Sequence, residues 1–472
     1  MNKEDICFLS AYEMREKIQS QELTSLEITE TMIERIEKIN PVINAYCTAT
    51  FDLARQMAKK ADDAVKSGAK VGILNGIPTS IKDEMPIKGV RTTFGSKLFE
   101  NYIPESDDIS VERLKSAGCV ILGKTNMPEF GFLGITHNLI FGTSKNPWDI
   151  TKTPGGSSGG AAGAVASGLG PLALGADGGG SIRIPSCLCG LYGIKPSLGR
   201  VPVYPTSGVH FEGLIHYGPI VRYVKDAALM LDAIKGPHYA DPYTLPEDGL
   251  KFFENVEEKP KKLKIGYSEN LGFAKVIDSE VKEHFLNSIN KFEEFGWSVD
   301  SAKLKIQNPE RTFLTIYSIT NAYDLKSKLE SWRDKLTPEL VLAVEAGMNM
   351  TGEDFARALS RRKVLFEKFF EFFKTFDILL TPTTAFPAFD LGIPFPSKID
   401  GKMVSPTAWM PLTSVFNLTG LPAASIPCGW TKEGLPIGMQ IIGNRFDDLK
   451  VLQVSKAFED IAPWQDKRPT FN

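Results

Sequence analysis

Residues 154–185 read PGGSSGGAAGAVASGLGPLALGADGGGSIRIP, and no other stretch restricts the fold as strongly. Two glycine clusters that carry serines, Gly155-Gly156-Ser157-Ser158-Gly159-Gly160 and Gly178-Gly179-Gly180-Ser181, flank a segment of small residues. Only Asp177 and Arg183 are charged. Ordering glycine costs backbone entropy, so clusters this dense are poor filler. They let backbone N–H groups converge on one point, as an anion or oxyanion site requires. A flexible Gly/Ser tether is the competing reading. The Ala-rich interior and the apolar Leu172, Ala173 and Leu174 fit a packed core better.

The remaining chain is compatible with an ordinary soluble globular protein. It has 472 residues, 24% of them charged, and a net charge of −3, so it lacks the basic excess of a phosphate-backbone binder. Six cysteines, Cys7, Cys47, Cys119, Cys187, Cys189 and Cys428, contain no CxxC pair. Cys187 and Cys189 have no further ligands nearby in the sequence, so all six read as reduced thiols in a cytosolic protein, with no metal. The amino terminus, MNKEDICFLSAYEMREKIQ, is charged and has no apolar signal segment. The longest uncharged run, within residues 154–176, holds too many glycines and serines to span lipid.

Periodicity predicts alternating helices and strands. Thr24 and Glu27 form a T-x-x-E capping box for a helix over residues 24–40, with Leu26, Met32, Ile33, Ile36 and Ile39 at helical spacing and Asn40-Pro41 as its stop. A second helix spans residues 51–67 and ends at Gly68. Residues 77–83 read as an extended segment carrying Lys82 inward. A third helix, residues 107–117, precedes the buried strand 119–122. Helix then strand, repeated, predicts an α/β fold with crossover connections. Residues 160–167 form a small-residue helix and residues 172–174 the next strand. After a basic run at 259–264, residues 263–267 open a new strand. Helices are predicted near 279–295 and 353–376. In the latter, Phe355, Leu359, Phe366, Phe370 and Phe373 are read as a core-facing stripe rather than a membrane-lying face. Residues 377–380 form a strand, 381–396 a proline-rich loop, and 417–429 a loop and buried strand.

Two motif strings mislead. Residues 118–125 match the Walker A pattern, but Val120, Ile121 and Leu122 are themselves the apolar strand, and Pro128 interrupts the helix that a P-loop requires. Gly155-Gly156-Ser157-Ser158-Gly159 matches G-x-S-x-G, yet loop-like residues 148–154 precede it where a nucleophile elbow needs a strand. The five histidines, His137, His210, His216, His238 and His284, stand in no recognisable triad context.

A serine nucleophile needs a base, and lysine is the next candidate after histidine. A lysine serves only when burial and neighbours bring its pKa down to about 7–8. Lys82, within Gly76-Ile77-Pro78-Thr79-Ser80-Ile81-Lys82-Asp83, has an apolar context that could bury it.

That segment, the two glycine clusters, and outlying landmarks at residues 124–129, 146–148, 193–197 and 417–422 together resemble the amidase signature family over about residues 5–465. The resemblance implies a large mixed β-sheet covered by helices on both faces. It implies one domain, residues 1–472, with a signature core at about 70–225 and a more variable helical region at about 270–400. It assigns a Ser–cisSer–Lys triad to Ser181, Ser157 and Lys82, with Ser181 the nucleophile and an uncharged Lys82 taking the proton through Ser157. It places the oxyanion hole at the backbone of Gly178, Gly179, Gly180 and Ser181. Asp177 and Arg183 would brace this loop, and Ser158 would lend a supporting hydrogen bond. The implied activity is hydrolysis of a small-molecule carboxamide through an acyl-enzyme, without cofactor, nucleic acid or membrane, and with room for a homodimer. The alternative is the glutaminase component of a tRNA-dependent amidotransferase. No acid lies between Val404 and Leu418, where that component is expected to carry its glutamine-binding acid, and Trp409 and Met410 could line an apolar pocket instead.

Overall fold

In strand after strand, neighbouring residues enter different cores. Leu172, Leu174 and Ala176 join the main hydrophobic cluster with Ile28, Met32 and Ile36, while Ala173 packs with Ala161, Ala162 and Val165. Ile378 and Leu380 join the main cluster too, whereas Leu379 packs with Phe369, Phe372 and Phe416. This period-two alternation needs cover on both sides, and helices supply it. The computed structural model describes residues 1–205 and 213–471.

Eleven strands form the central sheet. In chain order they are β1 (Tyr46–Ala49), β2 (Pro78–Lys82), β3 (Val120–Thr125) and β4 (Leu172–Asp177). Then come β5 (Tyr192–Lys195), β6 (His216–Val221), β7 (Lys264–Tyr267) and β8 (Ser298–Ser301). The last three are β9 (Ile378–Pro382), β10 (Ala423–Trp430) and β11 (Pro436–Gly443). Their spatial order is β1-β3-β2-β4-β6-β5-β10-β11-β9-β7-β8. β2 lies parallel to both β3 and β4, with Ile81 opposite Leu174, so the two parallel strands end at the same edge of the sheet. Antiparallel neighbours such as β4 and β6, or β10 and β11, make the sheet mixed.

The capping box at Thr24 forms, and its helix runs Ser25–Ile43. Pro41 lies inside this helix instead of ending it. A proline in the last turn sacrifices only one intrahelical bond, and Asn44 supplies the left-handed cap at φ 53°. The helix Gly159–Ala166 lies at backbone distance from its neighbours: a Cβ on Gly160 would stand 2.5 Å from the amide nitrogen of Asn126. Residues 118–125 form no P-loop, because β3 occupies the motif. Its Lys124 is buried, donating to Met85 O at 2.6 Å and lying 3.4 Å from Asp83.

Three further expectations change. The helix Gly352–Phe373 buries Ala358, Leu365, Phe369 and Phe372; of the predicted stripe, Phe355 and Phe373 are half-buried against that cluster, while Leu359 and Phe370 turn outward. Leu359 and Phe370 are 39% and 63% exposed. Phenylalanines occur all around this helix, so its partner, Phe416 at 5.6 Å from Phe369, selects the face. The region after residue 414 opens as a helix, Ser414–Thr419, before β10. The predicted helix 279–295 is α-helical only to Ile289 and tightens into a 3₁₀ turn. Among the described residues, no helix is long and apolar enough to cross a membrane.

Candidate active site

Lys82 is the last residue of β2 and is 1% exposed. Its Nζ donates to Ser157 Oγ at 2.7 Å and to Ala176 O at 3.5 Å. A carboxylate oxygen of Glu84 lies 2.9 Å from the same nitrogen. Ser157 follows a cis peptide bond from Gly156 and is buried. Thr136 pins this loop by donating to Gly155 O at 2.8 Å and accepting from Gly159 N at 3.1 Å. Gly156 is required by close approach, since a Cβ there would meet Ile135 O at 2.6 Å.

Ser181 sits on the turn that follows β4. Its carbonyl accepts from Ser158 N at 3.2 Å. Ser158 Oγ donates to Ala176 O at 3.3 Å, which ties the first glycine cluster to the end of β4. Lys82, Ser157 and Ser181 all line one cavity of about 710 Å³. No hydrogen bond joins the hydroxyls of Ser157 and Ser181 among the described residues. Catalytic contacts often tighten only when substrate arrives.

Asp177 and Arg183 hold the second glycine cluster rigid. Arg183 Nη2 and Nε lie 2.9 and 3.0 Å from the two Asp177 carboxylate oxygens. Arg183 also donates to Gln440 at 2.7 Å and to Asn417 at 2.7 Å. Asn417 returns a hydrogen bond to Asp177 O at 2.8 Å. Burial alone would push the Asp177 carboxyl up, but the Arg183 guanidinium, aided by Lys195 and Asn417, holds it well below the usual carboxylate range.

Asp177 also engages the segment expected to form the oxyanion hole. Gly180 N donates to Asp177 Oδ1 at 2.8 Å, so this N–H is already committed. The backbone N–H groups of Gly178, Gly179 and Ser181 have no acceptor among the described residues, and all three residues line the cavity. Gly180 holds a backbone shape that leaves no room for a side chain. At φ +133°, an added Cβ would lie 2.6 Å from Thr413 Oγ1 and 2.7 Å from Ile184 Cδ1. The nearest atoms to a Cβ on Gly179 would be those of the Phe313 ring edge, at 2.7 Å. Gly180→Ala is therefore expected to lower kcat by roughly 10²-fold or more. Gly179→Ala should lose less, because a ring can swing away. Steady-state kinetics on the two variants side by side tests this order.

The described histidines stand elsewhere. His137 Nδ1 bonds Thr143 at 2.9 Å, His238 stacks on Tyr204, and His284 lies against Gly429. His216 faces Leu214 O at 2.7 Å. Burial first, then Lys195, pushes its imidazole well below the ordinary value. None of these four hydrogen-bonds Ser157 or Ser181. His210 lies outside the described residues. No group of three or more metal-binding side chains exists among the described residues.

The cavity wall is largely aromatic and apolar. Phe132, Tyr317 and Phe313 stack at 5.5 Å intervals along one side. Trp409 and Met410 line it as well. Sequence reasoning missed its acids, Glu84, Glu310 and Glu339. Glu310, from the helix Glu310–Trp332, accepts a hydrogen bond from Thr407, which puts a carboxylate beside the acid-free segment 404–418. The only sequence signal for Glu84 was its place two residues beyond Lys82.

The family model described as Amidase matches residues 27–452. This chain belongs to the amidase signature family. The amidase is 36% identical to the acylamidase of Rhodococcus erythropolis over 99% of this chain and 98% of that one. It is 35% identical to the A component of the glutamyl-tRNA(Gln) amidotransferase of Carboxydothermus hydrogenoformans, over 98% and 99%. Its fold superposes on a crystal structure of a bacterial aryl acylamidase of the amidase signature family with a TM-score of 0.91, at 31% identity, covering 97% of both chains. The amidase is thus an enzyme of the class that hydrolyses amide C–N bonds.

Proposed function

We propose that this amidase is a free-standing hydrolase that cleaves a small-molecule carboxamide through Ser181, Ser157 and Lys82. The observation that carries the reading is the 2.7 Å contact from Lys82 Nζ to Ser157 Oγ inside the cavity that Ser181 also lines. Ser181 Oγ bonds to the amide carbon while its proton passes to Ser157. Ser157 gives its own proton to Lys82, and the carbonyl electron pair moves to oxygen. The N–H groups of Gly178, Gly179 and Ser181 receive that oxyanion, each such donor being worth about 3–4 kcal/mol. Lys82 then returns a proton through Ser157 to the leaving nitrogen. The C–N bond breaks, ammonia or an amine departs, and an acyl-enzyme remains. Water enters by the same relay and releases the carboxylate. Ser158, Asp177 and Arg183 keep the two glycine clusters in register.

The aromatic wall favours an aryl or bulky apolar group on the acyl or amine side. In this reading the enzyme works in the cytosol as a single domain, without cofactor, nucleic acid or membrane, alone or as a homodimer. Resemblance to an amidotransferase component supports a second reading, a glutaminase dependent on partner subunits. The purified chain, assayed alone on glutamine and on aliphatic and aryl amides, separates them. Turnover of aryl amides by the chain alone supports the hydrolase. Glutaminase activity that appears only with partner subunits overturns it. A fluorophosphonate should label Ser181, whatever chelator is present.

A further inference from the structure

Glu84 has no place in the relay just described, yet it touches the relay's base. The chain turns sharply after β2, with Met85 N donating to Lys82 O at 3.1 Å. This turn folds Glu84 back over Lys82. Its Oε2 lies 2.9 Å from Lys82 Nζ, while its side chain is only 12% exposed. The approach is ionic rather than an aligned hydrogen bond, since Oε2 is buried and makes no hydrogen bond to protein. Lys82 Nζ therefore has three acceptors around it: Ser157 Oγ, Ala176 O and Glu84 Oε2.

We infer that Glu84 is a positioning residue for Lys82, supplying the counter-charge for the ammonium that forms when the Ser181 proton arrives through Ser157. This rests on the relay proposed above. In the first step a negative charge appears on the substrate oxygen and a positive charge on Lys82. Separating the two beside the buried Lys82 and Ser157 costs more than it would in water. A carboxylate fixed beside the amine lowers that cost and holds Nζ toward Ser157 Oγ. No atom is added to the reaction. Glu84 exchanges no proton in the step, and the one taken up by Lys82 leaves again toward the departing nitrogen.

The other groups facing Glu84 do not compete for this role. Tyr317, on the helix Glu310–Trp332, and Tyr217, on β6, are phenols pushed well up by burial, with Glu84 adding to the effect. Asp108 is pushed up to about 7, again chiefly by burial. Glu310 and Glu339 stand on the same cavity wall, and Asp83 is turned toward Lys124 behind it.

The test compares wild type, Glu84→Gln, Glu84→Asp and Lys82→Ala over a range of pH. It records kcat and KM on an aryl amide and the rate of fluorophosphonate labelling at Ser181. Glu84→Gln should lower kcat by roughly 10²-fold with little change in KM. Without the counter-charge at 2.9 Å, the acid limb of kcat/KM and of labelling should move down by about one pH unit. Glu84→Asp keeps the charge and should keep the limb near the wild-type position. A Glu84→Gln enzyme whose limb does not move overturns the inference, even if its kcat has dropped, because that is what a merely structural side chain would do. If Lys82→Ala retains the wild-type labelling rate, the relay itself fails. Loss of labelling in Lys82→Ala alongside an unchanged Glu84→Gln removes only the role of Glu84.

Discussion

Lys82→Ala is expected to lower kcat by roughly 10⁴- to 10⁶-fold, the scale seen when one member of a nucleophile–base set is removed. Ser157 Oγ would lose the amine at 2.7 Å, and no described histidine is placed to replace it. The residual rate should come from the glycine-loop donors and substrate binding alone. The variant also strands the Glu84 carboxylate in the cavity, so its unfolding should be followed by circular dichroism at the same pH. Turnover near the wild-type level at neutral pH would remove Lys82 from the chemistry.

Arg183→Met is expected to cost about 3–5 kcal/mol of stability, because it leaves the fully buried Asp177 carboxylate without its cation. The urea midpoint measures this. The pair also sets an acid dependence. Asp177 titrates lower in the folded chain than in the unfolded one, where a carboxyl lies near about 3.9. Its contribution to stability is thus fully present above that unfolded value and is lost as pH falls toward the folded value. Wild type should weaken across this acid range, and Arg183→Met should weaken less steeply, having already lost the contribution. Parallel acid profiles for the two proteins would contradict the assignment.

Much of this was legible in residue order, and the misses have identifiable causes. The capping box at Thr24 and Glu27 is a local device, so local sequence suffices to find it. The inward path of Lys82 followed from an apolar strand with proline at its start, and β2 is buried throughout. The buried face of the helix Gly352–Phe373 was not legible. Its phenylalanines give no unique stripe, and the choice depends on residues distant in the chain, such as Phe416. The commitment of Gly180 N to Asp177 was hidden for a related reason. A cluster of consecutive glycines reveals that N–H groups can converge, but not which of them a nearby carboxylate will take. Glu84 escaped notice because a turn, rather than strand alternation, brings it back to Lys82.

The proposed reacting groups and most of the aromatic wall of the cavity, Phe132 aside, have separate origins. Lys82 ends β2, Ser181 follows β4, and these two strands are direct neighbours in the sheet. Phe313, Tyr317, Phe395 and Trp409 come from residues beyond 300, outside the two glycine clusters. Drift in that outer half can alter which molecule is admitted without moving the bond-breaking centre. A scaffold divided in this way lets a lineage acquire new diets while inheriting one set of teeth.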